Sequence, residues 1–195
     1  MKFDLKNLKP DVRKLNDMRE ILADKEFAKN APNIDLYYMY RSLEKKDGLR
    51  YDITVIPTKV LGNEYNKTKG HFHVGEFQEI YTILEGSAIY LMQKLDEAGN
   101  VIDVYAVKAE KGDSIIIPSN YGHVTINPSK TEDLKMANWV CENCKSDYSS
   151  FENLQGACYY YTKQGWIKNE NYKNVPELRF EEPLKNIPQD LNFLK

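Results

Sequence analysis

The hydrophobic period of this chain changes once. Val12, Leu15, Met18, Ile21 and Leu22 recur behind Pro10 and Asp11 at helix-like spacing, which predicts one amphipathic helix with Asp11 as its N-cap. After it, short β-branched and aromatic segments take over. LYYMYRSL (36–43), YDITVIP (51–57), EIYTILE (79–85), SAIYLMQKL (87–95) and VIDVYAVK (101–108) read as strands, bounded by Gly, Asn, Asp or Pro. So do DSIIIP (113–118), HVTIN (123–127), LKMANWV (134–140) and ACYYYT (157–162). DEAGN and TKQGW read as hairpin turns. One helix followed by many short strands predicts an all-β, mainly antiparallel fold, a barrel or a double-sheet jelly roll. The C-terminal NYKNVPELRFEEPLKNIPQDLNFLK holds three prolines and mixed charge. It predicts an arm over the barrel or over a neighbouring subunit, or a frayed tail, instead of a long helix or central strand.

With 195 residues the chain fits one domain in three parts. These are residues 1–50 (helix and first strand), 51–168 (barrel) and 169–195 (arm).

Charge narrows the partners. A net charge of −2, from 27 basic and 29 acidic residues, gives no footprint for nucleic acid or a membrane surface. A small anionic ligand stays open, because backbone N–H groups and hydroxyls bind phosphate without net positive charge. The N-terminus lacks the apolar run of a signal peptide, and no segment is apolar for the ~18 residues a membrane helix needs. Three cysteines are odd in number and suggest no disulfide framework. The economical reading is a cytoplasmic protein. Cys141 and Cys144 form a CxxC, but two thiolates fall short of a four-ligand zinc site and no βαβ unit surrounds them, so they read as buried or incidental thiols.

The candidate chemistry lies in the histidines, of which there are three. His71 and His73 sit in TKGHFHVGEFQEIYTILEG with Glu79 six residues on, and His123 sits in GDSIIIPSNYGHVTIN. Alternate strand residues share a face, so His71 and His73 can both point inward, with Glu79 and His123 arriving from later strands. Three imidazoles and a carboxylate suit Fe(II), Mn, Ni or Zn and leave coordination positions free.

These two stretches resemble the paired motifs of the cupin superfamily, small jelly-roll barrels (double-stranded β-helices) with an interior metal. Every histidine falls in a ligand slot. Asn120 stands where a glycine is usual, and Tyr65 where the first motif usually has one. The flanks, TKGHFH with YDITVIP and KPDVRKLNDMREIL, resemble the cupin-type glucose-6-phosphate isomerases of archaea and some bacteria, from about residue 10 to about residue 168.

That resemblance implies a metal-dependent aldose–ketose isomerase of glycolysis and gluconeogenesis that interconverts glucose 6-phosphate and fructose 6-phosphate as a homodimer. It implies one divalent metal per subunit, Fe2+ first, with Mn2+, Ni2+ or Zn2+ as alternatives. The implied metal ligands are His71, His73, Glu79 and His123. Thr54, Thr68 and Gly70 are carried over as phosphate-binding, Tyr37 as a pocket tyrosine, and Glu79 with Tyr81 as catalytic. In MANWVCENCKSDYSSF the chain departs from the family: Trp139 lies near a tyrosine slot, and Lys145 or Ser146 stands where a histidine is usual. Two other readings stay open, a non-catalytic sugar-phosphate-binding cupin and an Fe(II)-dependent dioxygenase.

Overall fold

Val12, Leu15, Met18 and Ile21 lie three residues apart, and three is the period of a 3-10 turn, not of an α-helix. In the computed structural model, which describes residues 3–195, the expected helix at Asp11 does not form. Asp11–Lys14 is an edge strand (β1), followed by 3-10 turns at Leu15–Asp17 and Arg19–Ile21. Met18 N–H donates to the Leu15 carbonyl and Ile21 N–H to that of Met18, so the apolar stripe eclipses on one side. Leu15, Met18, Ile21 and Leu22 are buried; the stripe is core-facing, as its hydrophobicity required, in a different backbone. The nearest α-helix is one of six residues, α1 (Lys25–Asn30), capped by Asp24, whose carboxylate accepts from Phe27 N–H at 2.9 Å.

The strands follow as β2 (Asp35–Lys46), β3 (Leu49–Ile56), β4 (Val60–Leu61), β5 (Glu64–Tyr65), β6 (Phe72–Val74), β7 (Glu79–Glu85) and β8 (Ser87–Leu95). Next come β9 (Val101–Glu110), β10 (Ser114–Ile117), β11 (Gly122–Ile126), β12 (Leu134–Cys141) and β13 (Lys145–Asp147). A short helix, α2 (Ser149–Asn153), precedes β14 (Tyr159–Thr162), β15 (Gly165–Lys168) and β16 (Arg179–Glu181). All nine expected strands are present, and the DEAGN and TKQGW turns join β8 to β9 and β14 to β15.

Two sheets make the jelly roll, one ordered β1-β2-β3-β12-β7-β10 and the other β11-β8-β9-β16. Tyr81, Ile83, Ile115, Ile117 and Met136 of the first pack against Ala88, Tyr90, Met92, Tyr105 and Val107 of the second, with the N-terminal stripe closing this core. β8 is buried on both faces, which explains its near-continuous apolar sequence. Its Ile89 and Leu91 point the other way, into a second core with Phe151 of α2, Cys158, Tyr159 and Tyr172.

The C-terminal arm wraps the chain's own barrel. β16 adds a parallel edge to β9, Leu184 exchanges backbone bonds with Ser114 at 2.7 and 2.8 Å, and Leu194 is buried with Leu49, Ile80 and Val140. The prolines keep its pairing short: three residues at the edge of β9 and the single bridge at Leu184.

Candidate metal centre and substrate pocket

His71 and His123 face each other across two backbone bonds, His71 N–H to the His123 carbonyl at 3.3 Å and His123 N–H to that of His71 at 3.0 Å. Their rings are 4.4 Å apart between centroids. β6 brings His73 to 5.4 Å from both, and Glu79 enters as the first residue of β7. One donor atom from each of the four lies within 4.8 Å of all the others.

Glu79 has its two oxygens in different environments. Oε1 accepts from Asn138 Nδ2 at 2.6 Å. Oε2 lies 3.3 Å from His73 Nε2 and 3.5 Å from His123 Nε2, buried and without a hydrogen-bond partner. Both ring nitrogens of His123 are likewise buried and unpartnered. Leaving such groups unsatisfied is costly, whereas a cation between them would satisfy the carboxylate and the imidazoles together. His73 Nδ1 donates to the Phe77 carbonyl at 3.0 Å, which fixes the tautomer and leaves Nε2 for the cluster.

Protonation agrees with this. Burial pushes His71 down to about 3, helped by the charges of His73, Arg41, Arg13 and Arg50. Burial, then His71 and His73, hold His123 well below the usual imidazole range. Both are neutral, the form that ligates. His73 moves the other way: burial opposes its charge, but the Cys144 thiol, the Glu79 carboxylate and the Phe77 carbonyl raise it to about 10. Without a cation its proton shields Glu79; a divalent metal would take that proton's place. The donor set fits such a metal.

The register of the large sheet builds the pocket wall. Val140 lies between Arg50 and Glu79, Asn138 between Asp52 and Tyr81, and Met136 between Thr54 and Ile83. All nine residues singled out from the sequence line this one pocket: Tyr37, Thr54, Thr68, Gly70, His71, His73, Glu79, Tyr81 and His123. Tyr37 Oη accepts from Lys69 N–H at 3.2 Å, pinning the TKGHFH segment to β2. Thr68 Oγ1 accepts from Thr125 N–H at 2.9 Å. Gly70 is required twice over. Its φ is +80°, and a Cβ there would sit 2.6 Å from Val124 Cγ2. Asn120 adopts φ 64°, so the left-handed turn is kept without a glycine.

The departing stretch resolves residue by residue. Trp139 turns away from the pocket, with its ring 5.0 Å from that of Tyr51; its neighbours Asn138 and Val140 face in. Of Lys145 and Ser146, it is Ser146 that lies opposite His73 in register and lines the pocket, while Lys145 is exposed. Cys144 lines the pocket, Cys141 is buried, and both are free. Sequence reading passed over Arg50, Asp52, Asn138 and Tyr148. The first two carried a signal, since they alternate with Thr54 along β3. Asn138 was visible as an amide in an apolar strand.

The sequence profile of the family described as Glucose-6-phosphate isomerase (GPI) matches residues 12–177. A glucose-6-phosphate isomerase of Thermococcus litoralis is 30% identical over 129 residues, 63% of this chain and 65% of that protein. One of Pyrococcus furiosus is also 30% identical over 129 residues, 63% of this chain and 66% of its own length. The matched region spans less than two thirds of either relative. Among solved structures, an oxalate oxidase in complex with the substrate analogue glycolate aligns at 15% identity over 57% of this chain and 54% of its own, with a TM-score of 0.45. A Cupin 2 conserved barrel domain protein from Leptotrichia buccalis aligns at 19% identity over 54% and 41%, with a TM-score of 0.36.

Proposed function

Because the chain belongs to the glucose-6-phosphate isomerase family, we propose that it interconverts glucose 6-phosphate and fructose 6-phosphate, with one divalent cation per subunit at His71, His73, Glu79 and His123. The observation that carries the metal site is the Glu79 carboxylate, with Oε1 held by Asn138 and Oε2 buried, unpartnered and facing two imidazoles. Iron(II) is the proposed cation, since imidazole and carboxylate suit it and the set leaves positions open.

Isomerisation moves a hydrogen between C1 and C2 and develops charge on O1 or O2. When bound, the cation supplies Lewis acidity toward those oxygens. Thr54, Thr68 and Gly70 hold the phosphate, and Tyr37 fixes the segment that carries Thr68 and Gly70. Glu79 Oε2 takes and returns the proton if an enediol forms. A carboxylate beside a cation is a weaker base, so a hydride shift with Glu79 as ligand alone is the competing route.

The test is a coupled assay for glucose 6-phosphate formed from fructose 6-phosphate, with cation and with chelator. Turnover lost on chelation and restored by iron is the expected result. C2-deuterated glucose 6-phosphate then separates the routes: solvent exchange supports Glu79 as shuttle, and full transfer to C1 supports the hydride shift. A second reading, a sugar-phosphate binder without turnover, is favoured by Ser146 opposite His73, in the stretch where a histidine is usual. Full metal and tight ligand binding with no turnover would establish it.

A further inference from the structure

The proposed phosphate subsite is built from two threonines, a glycine and a tyrosine, none of them charged. A phosphate dianion buried among neutral groups is expensive unless a cation meets it. Three arginines stand at the pocket: Arg41 and Arg50 line it, and Arg13 lies against its Tyr148 wall. Two are already neutralised, Arg41 by Asp11 at 3.3 Å and Arg50 by Asp52 at 3.1 Å. Nearby Lys69 is spent as well, on Glu152 at 2.5 Å.

Arg13 is different. Among the described residues it forms no ion pair, and its Nε is buried without a hydrogen-bond partner. β1 and β2 set Arg13 directly opposite Tyr37, and directly opposed residues share a face of the sheet. Tyr37 lines the pocket, so Arg13 points to the same side. Its guanidinium lies 5.6 Å from the centre of the Tyr148 ring, another pocket wall.

We propose that Arg13 binds the phosphate of the substrate, reaching it between Tyr37 and Tyr148 and supplying the positive charge that the threonine–glycine subsite lacks. A planar fork with a free Nε suits paired phosphate oxygens, which a lysine ammonium cannot match. The inference rests on the sugar-phosphate reading of the pocket. It also gives β1, an edge strand outside both histidine motifs, a functional reason to be where it is.

The test uses the metal-loaded full chain, its Arg13→Met and Arg13→Lys variants, and three probes: fructose 6-phosphate, inorganic phosphate and the non-phosphorylated sugar acid D-arabinonate. Arg13→Met is expected to raise KM for fructose 6-phosphate, and the inhibition constant of inorganic phosphate, by about 10- to 100-fold. kcat should stay within a few-fold, and arabinonate inhibition should be unchanged. Arg13→Lys, which keeps stem and charge, should fall between; if the methionine variant does not fold, the lysine variant carries the test through a several-fold loss confined to the phosphorylated probes. Unchanged phosphate constants in a folded variant overturn the proposal while leaving the isomerase reading intact. Equal losses for phosphate and arabinonate also overturn it, because Arg13 would then only position Tyr37 and Tyr148. A parent without turnover whose phosphate affinity, by calorimetry, still falls in Arg13→Met would sink the isomerase reading and keep this one. A parent that binds no phosphate overturns both.

Discussion

Replacing Asn138 with leucine tests whether Glu79 is held as a ligand. Asn138 lies mid-strand on β12, between Asp52 of β3 and Tyr81 of β7, and donates to Glu79 Oε1 at 2.6 Å with both side chains buried. Leucine keeps the branching and the number of side-chain heavy atoms and removes the donor. A hydrogen bond to a charged group is worth about 1.5–3 kcal/mol. The unheld carboxylate is then free to take a proton or rotate, and a cation must reverse either change to bind. Converted at about 1.4 kcal/mol per decade, the loss is roughly 10- to 100-fold in metal affinity, the range usual for removing a group that orients a metal ligand. The assay is competition of parent and Asn138→Leu against a chelator of known affinity, with circular dichroism checking the fold. A folded variant that binds its cation within twofold of the parent would refute the reasoning, because Glu79 would then either not ligate or not depend on Asn138.

Cation uptake near neutral pH should release about one proton per site. The pKa of His73 is raised to about 10, so its proton is bound below that value and must leave. Apparent affinity therefore rises with pH up to that region, and calorimetry in two buffers of different ionisation enthalpy reads the proton, with zero release contradicting a protonated His73. Gly70→Ala should destabilise by about 2–4 kcal/mol, from positive φ and the contact with Val124 together. That is roughly a 5–15 °C loss in Tm; a melt within 2 °C of the parent removes the steric argument. Thr68→Val should raise KM for fructose 6-phosphate about tenfold or more, since Thr68 lines the pocket and the variant loses its hydroxyl, which also accepts from Thr125 N–H. Unchanged kinetics would take Thr68 out of the phosphate subsite.

The strands and the histidine cluster were legible because their signals are local. Period-two alternation names which residues face inward, and two short motifs contain every histidine in the chain. The N-terminal segment was misread because a three-residue interval satisfies both a helix template and successive 3-10 turns. What decides between them is nonlocal: Leu15 N–H donates to the Ile34 carbonyl at 2.8 Å and Val12 pairs with Tyr38. No window of sequence contains those partners. The same limit hid Asn138, whose importance arises only when β12 is laid against β7. It also left Lys145 and Ser146 undecided until β13 was registered on β6.

The register that hid these residues also explains how the pocket could treat two ends of one substrate differently. Along β3, Arg50, Asp52 and Thr54 share a face and step at about 6.6 Å, two residues at a time. The row through Arg50 and Val140 ends on Glu79, at the metal cluster, while the row through Thr54 and Met136 lies two steps away. On the proposed reading, the reacting carbons sit at the first row and the phosphate at the last. Asp52, Asn138 and Tyr81, in the row between, then face the middle of the sugar. Asn138 orients Glu79 from that row, so a contact made to the sugar's central hydroxyls reaches the metal ligand through a single hydrogen bond. On that reading, substrate length and catalytic geometry are both set by one sheet. A shift of one residue between β12 and β7 would turn Asn138 away from Glu79 and replace it with Trp139 or Ala137, neither of which could hold the carboxylate.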